Sequence, residues 1–165
     1  MIDDFAESYA NGQTPIPCVR CNEKIKFGDL YETARQLGAS SLITGHYVSN
    51  KLINGERGLF RARDIYKDQS YFMFTLKKAQ LEYIKFPLGD LTKSETRKIA
   101  KELELVTSDK PESQDICFVQ SGNYVNLINT LKPNSNIKGN LIDTTGNIVG
   151  EHAGIMNFTI GQRRG

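Results

Sequence analysis

The chain has 165 residues, 39% hydrophobic and 24% charged, the make-up of one globular domain or slightly more. Lys and Arg number 21 against 19 Asp and Glu, so the net charge of +2 excludes bulk electrostatic attraction to a polyanion, and any nucleic-acid contact must be local. No apolar run is long enough to span a bilayer, and the start, MIDDFAESYANG, is acidic and polar, unlike a secretory or organellar signal; the expectation is a cytoplasmic protein with no membrane partner.

In chain order, the first chemical signal is TPIPCVRCNEKIKF, with Cys18 and Cys21 ahead of a helix predicted from about Glu23. Phe27, Leu30, Ala34 and Leu37 mark its apolar face, and Gly38 closes it. SSLITGHYV reads as a strand running into a loop at Gly45. KLINGERGLFRARD then holds Asn54-Gly55 between two extendable stretches, a hairpin signal. A helix is expected over QSYFMFTL. The next begins at Thr92, whose hydroxyl can cap an orphan amide while Glu95 reaches back, with Ile99, Ala100 and Leu103 as its buried stripe. DICFV reads as a short strand, NYVNLINTL as a helix, and NLIDTTGNIVG as a hairpin around Thr145-Gly146. Alternating helices and short apolar strands predict an α/β layer with a largely parallel sheet. Turn residues become dense after position 132, which places a boundary there. No Gly-rich phosphate loop occurs, and both ends of the chain read as cuts through larger units.

Three cysteines without a secretion signal argue against a disulfide framework and leave metal binding, nucleophilic chemistry or burial. Next to a helix start at Asn22, Cys21 is a candidate nucleophile, because unsatisfied amides and the helix dipole favour a thiolate; Lys24 and Lys26 lie near enough in sequence to add positive potential. Zinc would need a fourth ligand beyond the cysteines, from His46 or His152, whereas an iron–sulfur cluster on Cys18, Cys21 and Cys117 would leave one iron open. Taken alone, Cys117 is a buried strand thiol, but Ser113, Gln114 and Asp115 precede it at a strand end, where α/β enzymes place catalytic groups. Gly45 permits close approach to the backbone, and His46 offers a donor to a phosphate or base. Lys67, Asp68 and Gln69 set a point charge, an acceptor and an amide side by side, the means to hold a phosphate and read a base edge.

Taken together and in order, TPIPCVRCNEKIKFGDL, TGHY, KDQSYFMF, FPLGDLTKSETRKIA, KPESQDICF and FTIGQRRG resemble the tRNA-specific 2-thiouridylase (MnmA/TrmU) family. The resemblance implies the latter part of an adenine-nucleotide α-hydrolase-like (Rossmann-like) α/β domain over residues 1–131. The start of a small β-rich, tRNA-contacting domain follows over 132–165. It implies ATP and Mg²⁺ for adenylation of the C2 oxygen of the wobble uridine, then sulfur transfer. Cys117 would carry the persulfide, with Cys21 as the nucleophile that helps release it and can form a disulfide with Cys117. Gly45 would contact ATP, and Ile16, Pro17, Cys18, His46, Lys67, Asp68 and Gln69 would contact tRNA. Implied partners are Lys, Glu and Gln isoacceptor tRNAs and a sulfur donor from a cysteine-desulfurase relay. Many bacterial members carry Asn and Asp where this chain has Ile16 and Cys18, so it lacks those polar groups at the target-base loop. The SGGxDS pyrophosphate loop and the C-terminal barrel of the family have no counterpart among these residues. A non-catalytic tRNA-binding remnant is the competing reading. The isolated 165-residue chain is expected to show little or no thiolation of tRNA when supplied with ATP and a sulfur donor, as measured by thiouridine formation; turnover would refute this.

Overall fold

The fold is taken from a computed structural model, which describes residues 1–111, 116–119 and 123–163. Its elements, in order, are α1 (Ile2–Ala10), α2 (Pro17–Arg20), a π-helical segment (Cys21–Asp29) and α3 (Leu30–Gln36). There follow β1 (Leu42–Ile43), β2 (Val48–Ile53), β3 (Glu56–Arg61), a 3₁₀ turn (Ser70–Met73), α4 (Lys78–Tyr83) and β4 (Ile84–Lys85). The remainder comprises α5 (Lys93–Glu102), α6 (Tyr124–Leu131), β5 (Gly139–Ile142), β6 (Ile148–His152) and a 3₁₀ turn (Ile155–Asn157). The chain forms two compact units, one of residues Cys18–Glu112 and one of Met1–Pro17 with Ser113–Gly165. Among the described residues no helix is long and apolar enough to cross a membrane.

In the unit of Cys18–Glu112, the core is Phe27, Tyr31, Val48, Met73, Ile84 and Phe86. The helix expected from Glu23 begins at Pro17, whose fixed φ suits a first helical position, so Cys21 lies one turn inside it rather than beside its start. From Cys21 to Asp29 the winding is π, and the amide of Leu30 reaches back five residues to the Ile25 carbonyl. This wider turn shifts the apolar stripe. Phe27 and Tyr31 are buried, whereas Leu30 and Leu37, expected inside, are 49% and 81% exposed. Gly38, at φ 73°, closes the helix as expected.

The sheet differs from the expected parallel layer. β1 and β4 do pair in parallel, Leu42 opposite Ile84 and Ile43 opposite Lys85, but the longer β2–β3 ladder is antiparallel. Its turn is Asn54-Gly55, both at positive φ, so a strong local turn outweighs crossover pairing there. The helix expected over QSYFMFTL shortens to one 3₁₀ turn, because the Asp68 carboxylate competes locally for the Ser70 amide and hydroxyl. α5 carries the expected capping box: Thr92 Oγ1 accepts from the Glu95 amide and Glu95 Oε2 from the Thr92 amide at 2.7 Å. Its stripe is not buried, Ile99 being 41% and Leu103 64% exposed. The capping is local and needs no burial.

In the unit that contains both chain ends, α1 and α6 pack through Phe5, Ala6, Tyr9 and Ile128, with Met156 of the second 3₁₀ turn. Tyr9 stacks on Tyr124 at 4.4 Å between ring centroids, and the edge of Phe118 meets Phe5 at 5.3 Å. The β5–β6 hairpin forms as expected, with Gly146 at φ 89°. Asp143 ties its loop by accepting from the amides of Thr145 and Asn147 and from the Thr145 hydroxyl; these bonds, the hydroxyl's foremost, lower its pKa to about 2. The strand expected over DICFV is a turn across residues 116–119, closed by the Val119 amide on the Ile116 carbonyl at 2.9 Å. Asp115 and the expected loop residues Ser113 and Gln114 lie outside the described residues.

Gly89 shows how tightly the core of Cys18–Glu112 is assembled. It is buried, and a Cβ there would collide with the Val48 carbonyl group, its carbon 2.8 Å away. The Gly89 carbonyl meanwhile accepts from the Arg63 amide at 2.8 Å, so this backbone has no room to retreat. Gly89→Ala is expected to destabilise by about 3 kcal/mol in urea unfolding.

Candidate functional site

The π-wound helix, the loop after β1 and the segment around the first 3₁₀ turn, which carry seven of the expected residues, are joined by hydrogen bonds within Cys18–Glu112. Asn22, next to Cys21, is only 3% exposed; its Nδ2 donates to the Phe72 carbonyl at 3.1 Å and faces Met73 Sδ at 3.8 Å. That bond fastens the cysteine helix to the segment following Lys67–Gln69. Gln69 in turn clamps Tyr47, accepting from its amide at 2.9 Å through Oε1 and donating its own amide to the Tyr47 carbonyl at 2.8 Å. Asp68 accepts from the Ala62 amide at 2.8 Å and the Ser70 hydroxyl at 2.6 Å. Burial raises the Asp68 carboxyl, but the Ser70 hydroxyl, the amides of Ala62 and Ser70 and the Arg61 guanidinium together hold it below the usual carboxylate range. The acceptor oxygens of Asp68 and Gln69 are therefore engaged in shaping the segment, while Lys67, half-buried, donates its amide to the Asp64 carbonyl.

His46 closes the cluster. Its Nε2 lies 3.2 Å from Lys26 Nζ and its Nδ1 2.7 Å from Thr44 Oγ1. An ammonium can only donate, so Nε2 is the acceptor and Nδ1 carries the proton that it gives to Thr44. The Thr44 amide donates to the Lys85 carbonyl of β4, which ties the loop to the parallel strand pair. Burial, and then the Lys26 ammonium, push the imidazole from 6.5 down to about 4. His46 is thus a neutral ring with both nitrogens occupied, rather than the open donor expected from sequence. Gly45, by contrast, is exposed, and the Leu88 side chain, at 3.6 Å, is all that a Cβ there would meet.

All three cysteines are thiols: Cys18 and Cys117 are exposed and Cys21 is half-buried. Cys117 stands on its turn between the half-buried Ile116 and Phe118, so the flanking residues take the inward positions and the thiol does not. Ile16 is 42% exposed, and Pro17 is buried. Ile16, Pro17 and Cys117 belong to the unit with both chain ends, and the other expected site residues to Cys18–Glu112. Within neither unit do three His, Cys, Asp or Glu side chains among the described residues gather as metal ligands would. Sequence reasoning missed Asn22 and Thr44 as fasteners, and it gave Lys24 and Lys26 as sources of positive potential near Cys21 without the contact that Lys26 makes with His46. The π winding that sets these directions leaves no mark in residue spacing.

The helix bearing Cys18 and Cys21, joined through Lys26 and His46 to the glycine loop after a strand paired in parallel, defines a unit of the α/β class. The tRNA methyl transferase HUP domain model matches residues 1–121, and the tRNA methyl transferase PRC-barrel domain model matches residues 126–165. The chain belongs to this family, an adenine-nucleotide α-hydrolase-like domain followed by a small β domain. Over its whole length it is 58% identical to the tRNA-specific 2-thiouridylase MnmA of Rickettsia massiliae and 56% identical to that of Rickettsia rickettsii (strain Sheila Smith), covering 45% of each. It is 51% identical to that of Nitrobacter winogradskyi, covering 42% of it. The chain therefore spans less than half the length of these curated relatives.

The depressed His46 pKa has a thermodynamic consequence. Between pH 6.5 and about 4 the unfolded chain binds a proton at His46 that the folded chain does not, so stability present above pH 6.5 is lost as pH falls through that window. The loss is on the order of 3 kcal/mol by pH 4. Comparing urea unfolding of wild type and His46→Asn at intervals from pH 7 to 4 should show a shallower slope in the variant; parallel slopes would count against the neutral buried imidazole.

Proposed function

We propose that this segment belongs to a cytoplasmic enzyme that replaces the C2 oxygen of the wobble uridine in tRNA with sulfur. The observation that carries the reading is the convergence of the Cys21 helix, the Gly45–His46 loop and Lys67–Gln69 in one cluster, in a chain of this family. Gly45 suits a nucleotide. It is exposed at the C-terminal end of β1, where open α/β sheets bind ligands, and its backbone can be approached closely. ATP with Mg²⁺, held by way of the Gly45 loop, would supply the activation of the uridine oxygen by adenylation, because a carbonyl oxygen is otherwise a poor leaving group.

Cys117, exposed on its turn, accepts sulfur from a cysteine-desulfurase relay as a persulfide, a strong soft nucleophile near neutral pH. The terminal sulfur attacks C2 of the adenylated uridine, and the oxygen departs as part of AMP with the electron pair of the broken C–O bond. Attack of the Cys21 thiolate on the Cys117 sulfur releases the product sulfur and leaves a Cys21–Cys117 disulfide, which an external thiol reduces. Ile16, Pro17 and Cys18 meet the target base, which must be splayed from the anticodon loop to be attacked. His46 and Lys67–Gln69 contact the RNA, with the Gln69 side-chain amide and Lys67 supplying donors. The substrates are the Lys, Glu and Gln isoacceptors.

The test places this segment, in exchange for its counterpart, in the full-length Rickettsia massiliae relative and compares Cys117 with Cys117→Ser. Thiouridine formation should fall by about a thousandfold or more while tRNA binding is retained. Unchanged thiolation by the serine variant would sink the mechanism, and a chimera that binds tRNA yet thiolates none in either form would favour a binding remnant.

A further inference from the structure

Lys26 is half-buried, and its ammonium contacts a neutral imidazole, a partner that offers a dipole and no charge. Among the described residues no carboxylate pairs with it. An ammonium whose contact supplies no counter-charge can pair with the charge that an anionic ligand brings. Two further features point to what that ligand is. The adjoining loop is open at Gly45, where a side chain would otherwise stand between the backbone and an incoming group. His46 accepts one of the three ammonium hydrogens and is itself fixed through Thr44, whose amide is anchored to β4, so the ammonium is held on a rigid support with two donors to spare. A compact point charge with spare donors beside an unobstructed backbone is suited to phosphoryl oxygens.

We propose that Lys26 and the open backbone at Gly45 form a phosphate subsite, in which His46 aims the Lys26 ammonium at a phosphoryl oxygen. The phosphate belongs to an adenine nucleotide or to the RNA backbone; that choice, unlike the subsite itself, rests on the thiolation reading above. Lys26 is a binding residue here, and His46 a positioning residue acting through it.

The experiment uses the 165-residue chain labelled with ¹⁵N-lysine, its Lys26 ammonium signal identified by its loss in Lys26→Arg. Titration with inorganic tripolyphosphate should shift that signal saturably, and Lys26→Met should weaken tripolyphosphate binding by about tenfold or more, while Lys26→Arg stays within about threefold of wild type. Parallel titrations with Mg²⁺-ATP and with an anticodon stem-loop RNA assign the source: a loss in Lys26→Met confined to ATP makes the phosphate the nucleotide's, and one confined to RNA makes it the backbone's. A Lys26 signal unmoved by saturating tripolyphosphate in the wild-type chain overturns the proposal whatever the folding of the variants, as does Lys26→Met binding within twofold of wild type. Tripolyphosphate binding through Lys26 would stand even if the Cys117→Ser comparison defeated the thiolation mechanism, so the two readings fail separately.

Discussion

An ammonium group donates hydrogen bonds and never accepts them, and much of the cluster follows from that one-way rule. With Lys26 against Nε2, His46 is an acceptor on one side, a donor to Thr44 on the other, and uncharged between them. The ring's tautomer, its orientation and the position of the loop after β1 are therefore set together. The same contact joins two segments 20 residues apart in sequence, the helix bearing Cys21 and the loop bearing Gly45. A second join, from Asn22 to Phe72, and a third, from Gln69 to Tyr47, make the arrangement a closed triangle of segments.

The winding of the helix decides which side chains take part. An α-helix over residues 21–29 would have kept the stripe of Phe27, Leu30, Ala34 and Leu37 on one face. The π turn advances the register so that Phe27 and Tyr31 enter the core. Gly28 sits within that turn, and a Cβ there would stand 3.0 Å from the Glu23 carbonyl oxygen, five residues back. The wide turn thus tolerates a residue without a side chain at the point where its own backbone crowds in.

Local chemistry was legible in the sequence where a few neighbouring residues decide the outcome. The Thr92–Glu95 capping box, the Asn54-Gly55 turn, the helix stop at Gly38 and the Asp143–Asn147 hairpin loop all depend on interactions spanning five residues or fewer. Burial was not legible in the same way. Ile99 and Leu103 have the spacing of a core stripe and are exposed, because periodicity reports which residues share a face and says nothing of what covers it. The N-terminal segment is acidic and polar in composition, although Phe5, Ala6 and Tyr9 carry helical spacing and are all buried. At the site, residue types and order pointed to Cys21, Gly45, His46 and Lys67–Gln69. The bonds joining them link residues 20 to 50 positions apart, and pairings at that range are set by tertiary structure.

The clamp between Gln69 and Tyr47 uses two backbone amides, one backbone carbonyl and one side-chain oxygen to imitate a rung of sheet pairing between two loops. A rung of that kind transmits displacement. A ligand that pulls on Lys67–Gln69 also pulls on the loop of Gly45 and His46, and the reverse holds by necessity, since linkage between two binding events is symmetric. If RNA and nucleotide occupy these neighbouring loops, neither binds to a surface indifferent to the other, and the coupling between them is the same whichever arrives first.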